Sequence, residues 1–131
     1  MKHVAPNELD LHWNRVMMLV AAALTATRDV HIEHIRLFIL QGMMDLFISE
    51  TNSETVLVTE FVQLPSHKVL RIVALGGENV VQFTSEWAQL REWAKKAGCD
   101  QIEAWTSTAA RQRLFAHFGF SPVYTAIRAD L

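Results

Sequence analysis

The sequence predicts a mixed α/β domain, and three observations carry that prediction. The hydrophobic period changes from helical to alternating just after Gly42. A strand-like run, "KVLRIVAL", ends in Gly-Gly and passes straight into a helical stripe. Gly42, Gly98 and Gly119 each stand where a C-cap glycine would stop a helix. No repeat, Ser/Gly/Pro tract or charge block divides the 131 residues, so one domain over 1–131 is expected.

In chain order, Leu9 to Ala26 places Trp13, Val16, Met17, Val20 and Leu24 on one helical face. Its other faces are also apolar, which predicts a largely covered helix. A second helix starts near Asp29, carries Ile32, Ile35, Leu37 and Phe38, and stops at Gly42. Met44 to Ser49 reads as a strand, followed by turn residues Thr51 to Glu54. Thr55 to Leu64 and Lys68 to Leu75 are β-branched runs joined through Pro65-Ser66-His67, which predicts an antiparallel meander. After Gly76-Gly77 a helix shows its stripe at Phe83, Trp87, Leu90, Ala94 and Ala97, then stops at Gly98. Gln101 to Thr106 is a short strand, Thr108 to Phe118 a short helix, and Ser121 to Arg128 a last strand. The order is α-α-β-β-β-α-β-α-β.

Composition narrows the function. Half of the chain is hydrophobic and 20% is charged, which excludes a disordered polyelectrolyte. Twelve Lys and Arg against 14 Asp and Glu give a formal charge of −2, with no basic footprint for duplex nucleic acid. One cysteine, Cys99, rules out an internal disulfide and fits a reduced, cytoplasmic setting. The apolar run from Val16 to Ala26 is too short to span a bilayer, and no membrane association is expected. Glu8 and Asp10 put acid where the basic start of a signal peptide belongs. His31 and His34 have metal-ligand spacing on a helix but no third ligand, so no metal is expected. Cys99 follows a helix end, where the dipole opposes thiolate formation.

A strand that ends in Gly-Gly and opens a helix has the geometry of an anion site, with free N–H groups at the helix start. The residues are Leu75, Gly76, Gly77, Glu78, Asn79 and Val80. Neither GxxxxGK[ST] nor GxGxxG is present.

From Thr55 to Leu131 the chain resembles the GCN5-related N-acetyltransferase (GNAT) family. The resemblance lies in the succession "KVLRIVALGG", "ENVVQFTSEWAQLREWAKKAGC", "DQIEAWTS", "TAARQRLFAHFGF" and "SPVYTAIRADL". Within that family it is most similar to small GNAT-like proteins encoded by phages and prophages. The resemblance implies a mostly antiparallel central sheet with one splayed strand pair. It implies that the backbone of Ile72, Val73, Ala74 and Leu75 pairs with the pantetheine arm of acetyl-CoA. Gly76 to Val80 would then be the pyrophosphate loop, and Gln101 to Thr106 the other wall of the acyl slot. The loop departs from the family's longer Gln/Arg-x-x-Gly-x-Gly/Ala pattern, and Glu78 brings negative charge to it. Phe115 stands at the family's tyrosine position and Thr108 at its asparagine position, and a phenylalanine cannot protonate a leaving thiolate.

Acetyl transfer to an amine needs a base for the ammonium, a donor for the carbonyl oxygen and often an acid for the thiolate. Glu60, a lone acid in an apolar strand, is the first candidate base, and Glu103 on the next strand the second. Tyr124, the only tyrosine, is the candidate acid, and Arg111 a candidate contact for a CoA phosphate. Two readings stand side by side. One is an acyl-CoA-dependent N-acetyltransferase or acyl-CoA binder with a degenerate pyrophosphate loop, acting on a small-molecule or protein amine. The other is a non-catalytic phage-type protein of the virion or its assembly, or an interaction protein, with a protein partner or a second copy of itself. For a phage-encoded protein the location would be host cytoplasm or virion.

Overall fold

The computed structural model describes residues 1–24, 29–50, 55–77 and 84–131. Strand β1 (Lys2–Val4) and a 3-10 turn (Pro6–Glu8) lead into α1 (Leu9–Ala23) and α2 (Ile32–Leu40). Strands β2 (Asp45–Ile48), β3 (Thr55–Gln63) and β4 (Lys68–Gly77) follow, then α3 (Thr84–Lys96), β5 (Gln101–Ala104) and α4 (Ala109–His117). The sheet runs β1-β2-β3-β4-β5, antiparallel except between β4 and β5. That parallel pair needs a crossover, which α3 supplies.

Side chains alternate across the sheet and are covered on both faces, so the strands read as nearly continuous apolar runs. Leu46, Ile48, Val56 and Val58 pack with Val16 and Val20 of α1 and Ile35 and Ile39 of α2. On the opposite face, Phe47, Leu57, Leu70, Ile72 and Leu75 meet Leu90 and Ala94 of α3 and Phe115 of α4. Helices α3 and α4 end at Gly98 and Gly119, whose φ of 82° and 91° suit glycine.

Several boundaries differ from expectation. Strand β1 was not foreseen: three residues are too few to show a period, and they are held by antiparallel pairing, Lys2 with Ile48 and Val4 with Leu46. Helix α1 stops at Ala23, because Leu24 turns to an extended ψ of 139°. Helix α2 begins at Ile32 rather than near Asp29, with His31 as its N-cap. The expected turn Thr51 to Glu54 lies outside the described residues. The expected last strand is corrected: residues 121–131 form neither strand nor helix and are exposed throughout. Val123, Tyr124 and Ile127 are 80%, 70% and 91% exposed. β-propensity stabilises a strand only through cross-strand neighbours, and these residues have none. Arg128 instead makes a two-pronged pair with Asp29, at 2.5 and 2.8 Å, before α2.

Candidate functional site

Strands β4 and β5 pair only from Val69–Gln101 to Ile72–Ala104. Beyond that point β4 continues to Gly77, while the chain after Ala104 leaves the sheet for α4. A β-bulge sharpens the divergence. Val58 pairs with Ala74 but Thr59 with Ile72, so Val73 is an extra residue on β4. Such an insertion bends a strand and raises its local twist. A cleft therefore opens on the β5 side of Val73 to Leu75. Ala23, Ile72 to Leu75, Ala104, Trp105, Arg111 and Phe115 line this shallow cleft, whose water-accessible volume of about 10 Å³ is room for about one water. The expected acyl-slot residues Ile72, Val73, Ala74 and Leu75 form one wall together.

Gly76 serves packing. A Cβ there would lie 2.6 Å from the Leu19 carbonyl oxygen and 2.8 Å from the Ala23 side chain, so α1 crosses β4 in direct contact with it. Gly77 has a φ of 117°, in the region that favours glycine. The expected loop residues Glu78, Asn79 and Val80 lie outside the described residues.

The two candidate bases share a partner that the sequence reading missed. Glu60 pairs with Arg71 across β3–β4, and Arg71 with Glu103 across β4–β5. Arg71 Nη1 donates to Glu60 Oε1 at 3.3 Å and Nε to Glu103 Oε1 at 2.7 Å. All three side chains are about one quarter exposed. The Trp105 ring, itself 54% exposed, has its centroid 4.6 Å from the guanidinium carbon. By strand alternation this row faces the α1 and α2 side. Its signal in the sequence was a cation, Arg71, in the interior of the apolar run "KVLRIVAL". Placing it beside Glu60 required the hairpin register, set by Gln63 opposite Lys68.

Arg111 lies in the first turn of α4, below its N-cap Thr108, whose hydroxyl accepts the Arg111 N–H at 3.2 Å. Its side chain reaches into the cleft, and Nη1 donates to the Leu75 carbonyl oxygen at 2.7 Å. Phe115 lines the same cleft and is buried. Tyr124 is not among the lining residues and sits on the exposed tail. His31 and His34 are engaged in capping α2: His31 Nδ1 accepts from the Glu33 N–H, and His34 Nδ1 from the His31 N–H. Burial pushes the Cys99 thiol above its ordinary pKa, partly offset by Lys68.

An α/β sandwich whose β4 and β5 diverge at a bulge can be compared with solved structures. An aminoglycoside acetyltransferase from an uncultured soil metagenomic sample, solved with sisomicin, superposes with a TM-score of 0.70 at 12% identity, covering 99% of this chain and 94% of that one. A predicted acetyltransferase from Clostridium acetobutylicum, solved with acetyl-CoA, gives 0.67 at 12% identity over 98% and 94%. The fold is that of the GNAT acetyltransferases. AAC(6')-Iy, solved with a CoA-linked acetylneamine bisubstrate analogue, gives 0.68 at 15% identity over 92% of both chains. No protein-family model and no curated protein matches the sequence. The likeness to GNATs therefore lies in the fold, at identities that carry no activity with them. No helix among the described residues is long and apolar enough to cross a membrane.

Proposed function

We propose that this chain binds acyl-CoA in the β4–β5 cleft and transfers the acetyl group to an amine. The observation that carries the reading is the stretch of β4 beyond Ile72 that has no strand on its β5 side and presents the Leu75 carbonyl to a cleft flanked by apolar Ala104 and Phe115. An extended arm with amide groups satisfies such a strand edge as another strand would. In this reading Val73 to Leu75, beyond the last β4–β5 pair at Ile72, give their free edge to the arm, and Gly76 and Gly77 follow towards its phosphates; Glu78, Asn79 and Val80 lie outside the described residues.

Acetyl-CoA supplies an activated thioester. The amine nitrogen attacks the thioester carbon, the C–N bond forms, and the C–S bond breaks with the electron pair leaving on sulfur. The nitrogen's proton passes to a carboxylate, Glu60 first and Glu103 second, both on the sheet row next to the cleft. Tyr124 is the acid of this reading; its tail is anchored at Phe120, against Phe115, and at Arg128, against Asp29. Neighbours in fold bind sisomicin and an acetylneamine analogue, which directs the acceptor search to small polyamines.

A narrower reading, an acyl-CoA binder without turnover, is favoured by Phe115, which offers the thiolate no proton. The test is calorimetric titration with acetyl-CoA, followed by thiol-release assays over a panel of amines. Micromolar binding with amine-dependent thiol release supports transfer. Binding without release supports the narrower reading, and no binding at millimolar acetyl-CoA sinks both.

A further inference from the structure

The Leu75 carbonyl is the group that the cleft offers to a ligand, and it is already taken. Strand β5 stops pairing at Ala104, so nothing in the sheet reaches this oxygen from the cleft side. Arg111 reaches it instead, from another element, with a part-buried, charge-assisted bond of 2.7 Å. The geometry is specific: Thr108 caps the helix through the Arg111 N–H, which fixes the backbone from which the side chain leaves. The guanidinium thereby lies in the cleft against the Leu75 end of β4, with Phe115 among the other lining residues.

We infer that Arg111 is a displaceable stand-in for the ligand. It gives the Leu75 carbonyl the hydrogen bond that an amide N–H of the acyl carrier's arm gives when bound. A buried or half-buried carbonyl left without a donor is costly, and an open strand edge invites wrong partners. An arginine side chain, long and readily hydrated, satisfies the edge while the cleft is empty and swings to solvent when the arm enters. Entry of the arm then exchanges one donor for another, and affinity is lowered by the strength of the Arg111 bond. This inference rests on the acyl-CoA reading above and assigns Arg111 a positioning role.

The test compares wild type with Arg111→Met, which keeps an apolar stem and removes the donors. Each protein is titrated with CoA and with adenosine 3′,5′-bisphosphate, which lacks the arm. Displacement predicts that the preference for CoA over the bisphosphate rises about tenfold in the variant, since a net charge-assisted hydrogen bond corresponds to about that factor. An unchanged or reduced preference overturns the inference while leaving the acyl-CoA reading in place. A loss of affinity for both ligands makes Arg111 a phosphate contact and also overturns it. If CoA binds neither protein, the acyl-CoA reading itself falls, and the inference with it. Thermal unfolding checks that the variant is folded, and Arg111→Leu, which likewise lacks a donor, gives the same ratio should Arg111→Met prove unstable.

Discussion

Glu60 and Glu103 each give an oxygen to Arg71, at 3.3 and 2.7 Å, and Trp105 covers the guanidinium. Three charges that share one row cannot be altered singly without cost. Removing the cation leaves two partly buried carboxylates, one on each side of β4, without the charge that holds them, so Arg71→Met should destabilise the protein by about 1–3 kcal/mol in urea unfolding. Glu60 holds the longer bond and is the freer of the two acids, which makes it the preferred base. Glu60→Gln should lower kcat at least ~100-fold with KM for acetyl-CoA little changed, whereas Glu103→Gln should cost less. Equal, small effects of the two in steady-state kinetics would remove the base role. Glu86 is a different kind of acid: it is buried in the first turn of α3 and accepts from the Ser49 hydroxyl at 2.5 Å and the Ser85 hydroxyl at 2.8 Å. Its place there ties the end of β2 to α3.

Helix α1 meets β4 in close contact where Gly76 lies beneath Leu19 and Ala23. Gly76→Val should cost about 2–3 kcal/mol by thermal unfolding, because the obstructing atom is a backbone oxygen that cannot rotate away. The tail after α4 is held by chemistry of another sort. Arg128 keeps the Asp29 carboxyl below the ordinary aspartate value of 3.8, first through the hydrogen bond and then through charge. A carboxyl depressed in the folded state contributes its stabilisation above its unfolded pKa and loses it as pH falls through the lowered one. Tail anchoring should therefore persist at neutral pH and weaken below about pH 4. Limited proteolysis of the tail at neutral pH should speed up in Asp29→Asn, and an unchanged rate would exclude the anchor. These elements also mark what the sequence made legible. "TVLVTEFVQ" and "KVLRIVALGG" announced themselves through β-branched runs about a Pro-Ser-His turn, and α3 through its stripe and Gly98. Strand β1 was hidden, since Lys2-His3-Val4 owes its form to β2. "SPVYTAIR" was misread because propensity names a strand without naming its partner. The Glu60–Arg71–Glu103 row depended on register across three strands, and the Arg111–Leu75 bond on a contact between residues 36 apart in sequence.

At the scale of the whole molecule, two helical layers clamp a sheet whose β4 and β5 part beyond Ile72, and Ile72 to Leu75, Arg111 and Phe115 lie at that opening with the acidic row beside it. Helix α1 abuts it at Ala23, α4 supplies Arg111 and Phe115, and the acidic row runs up to it from β3 and β5. The central claim is that this opening receives the arm of an acyl carrier. Backbone amide hydrogen exchange, resolved by residue, tests it most directly with and without saturating CoA. The account predicts increased protection concentrated at Val73 to Gly77 and at Ala104 to Arg111, with β1 and β2 unchanged. Saturation by CoA with no protection at β4, or with protection confined to another surface, would contradict it.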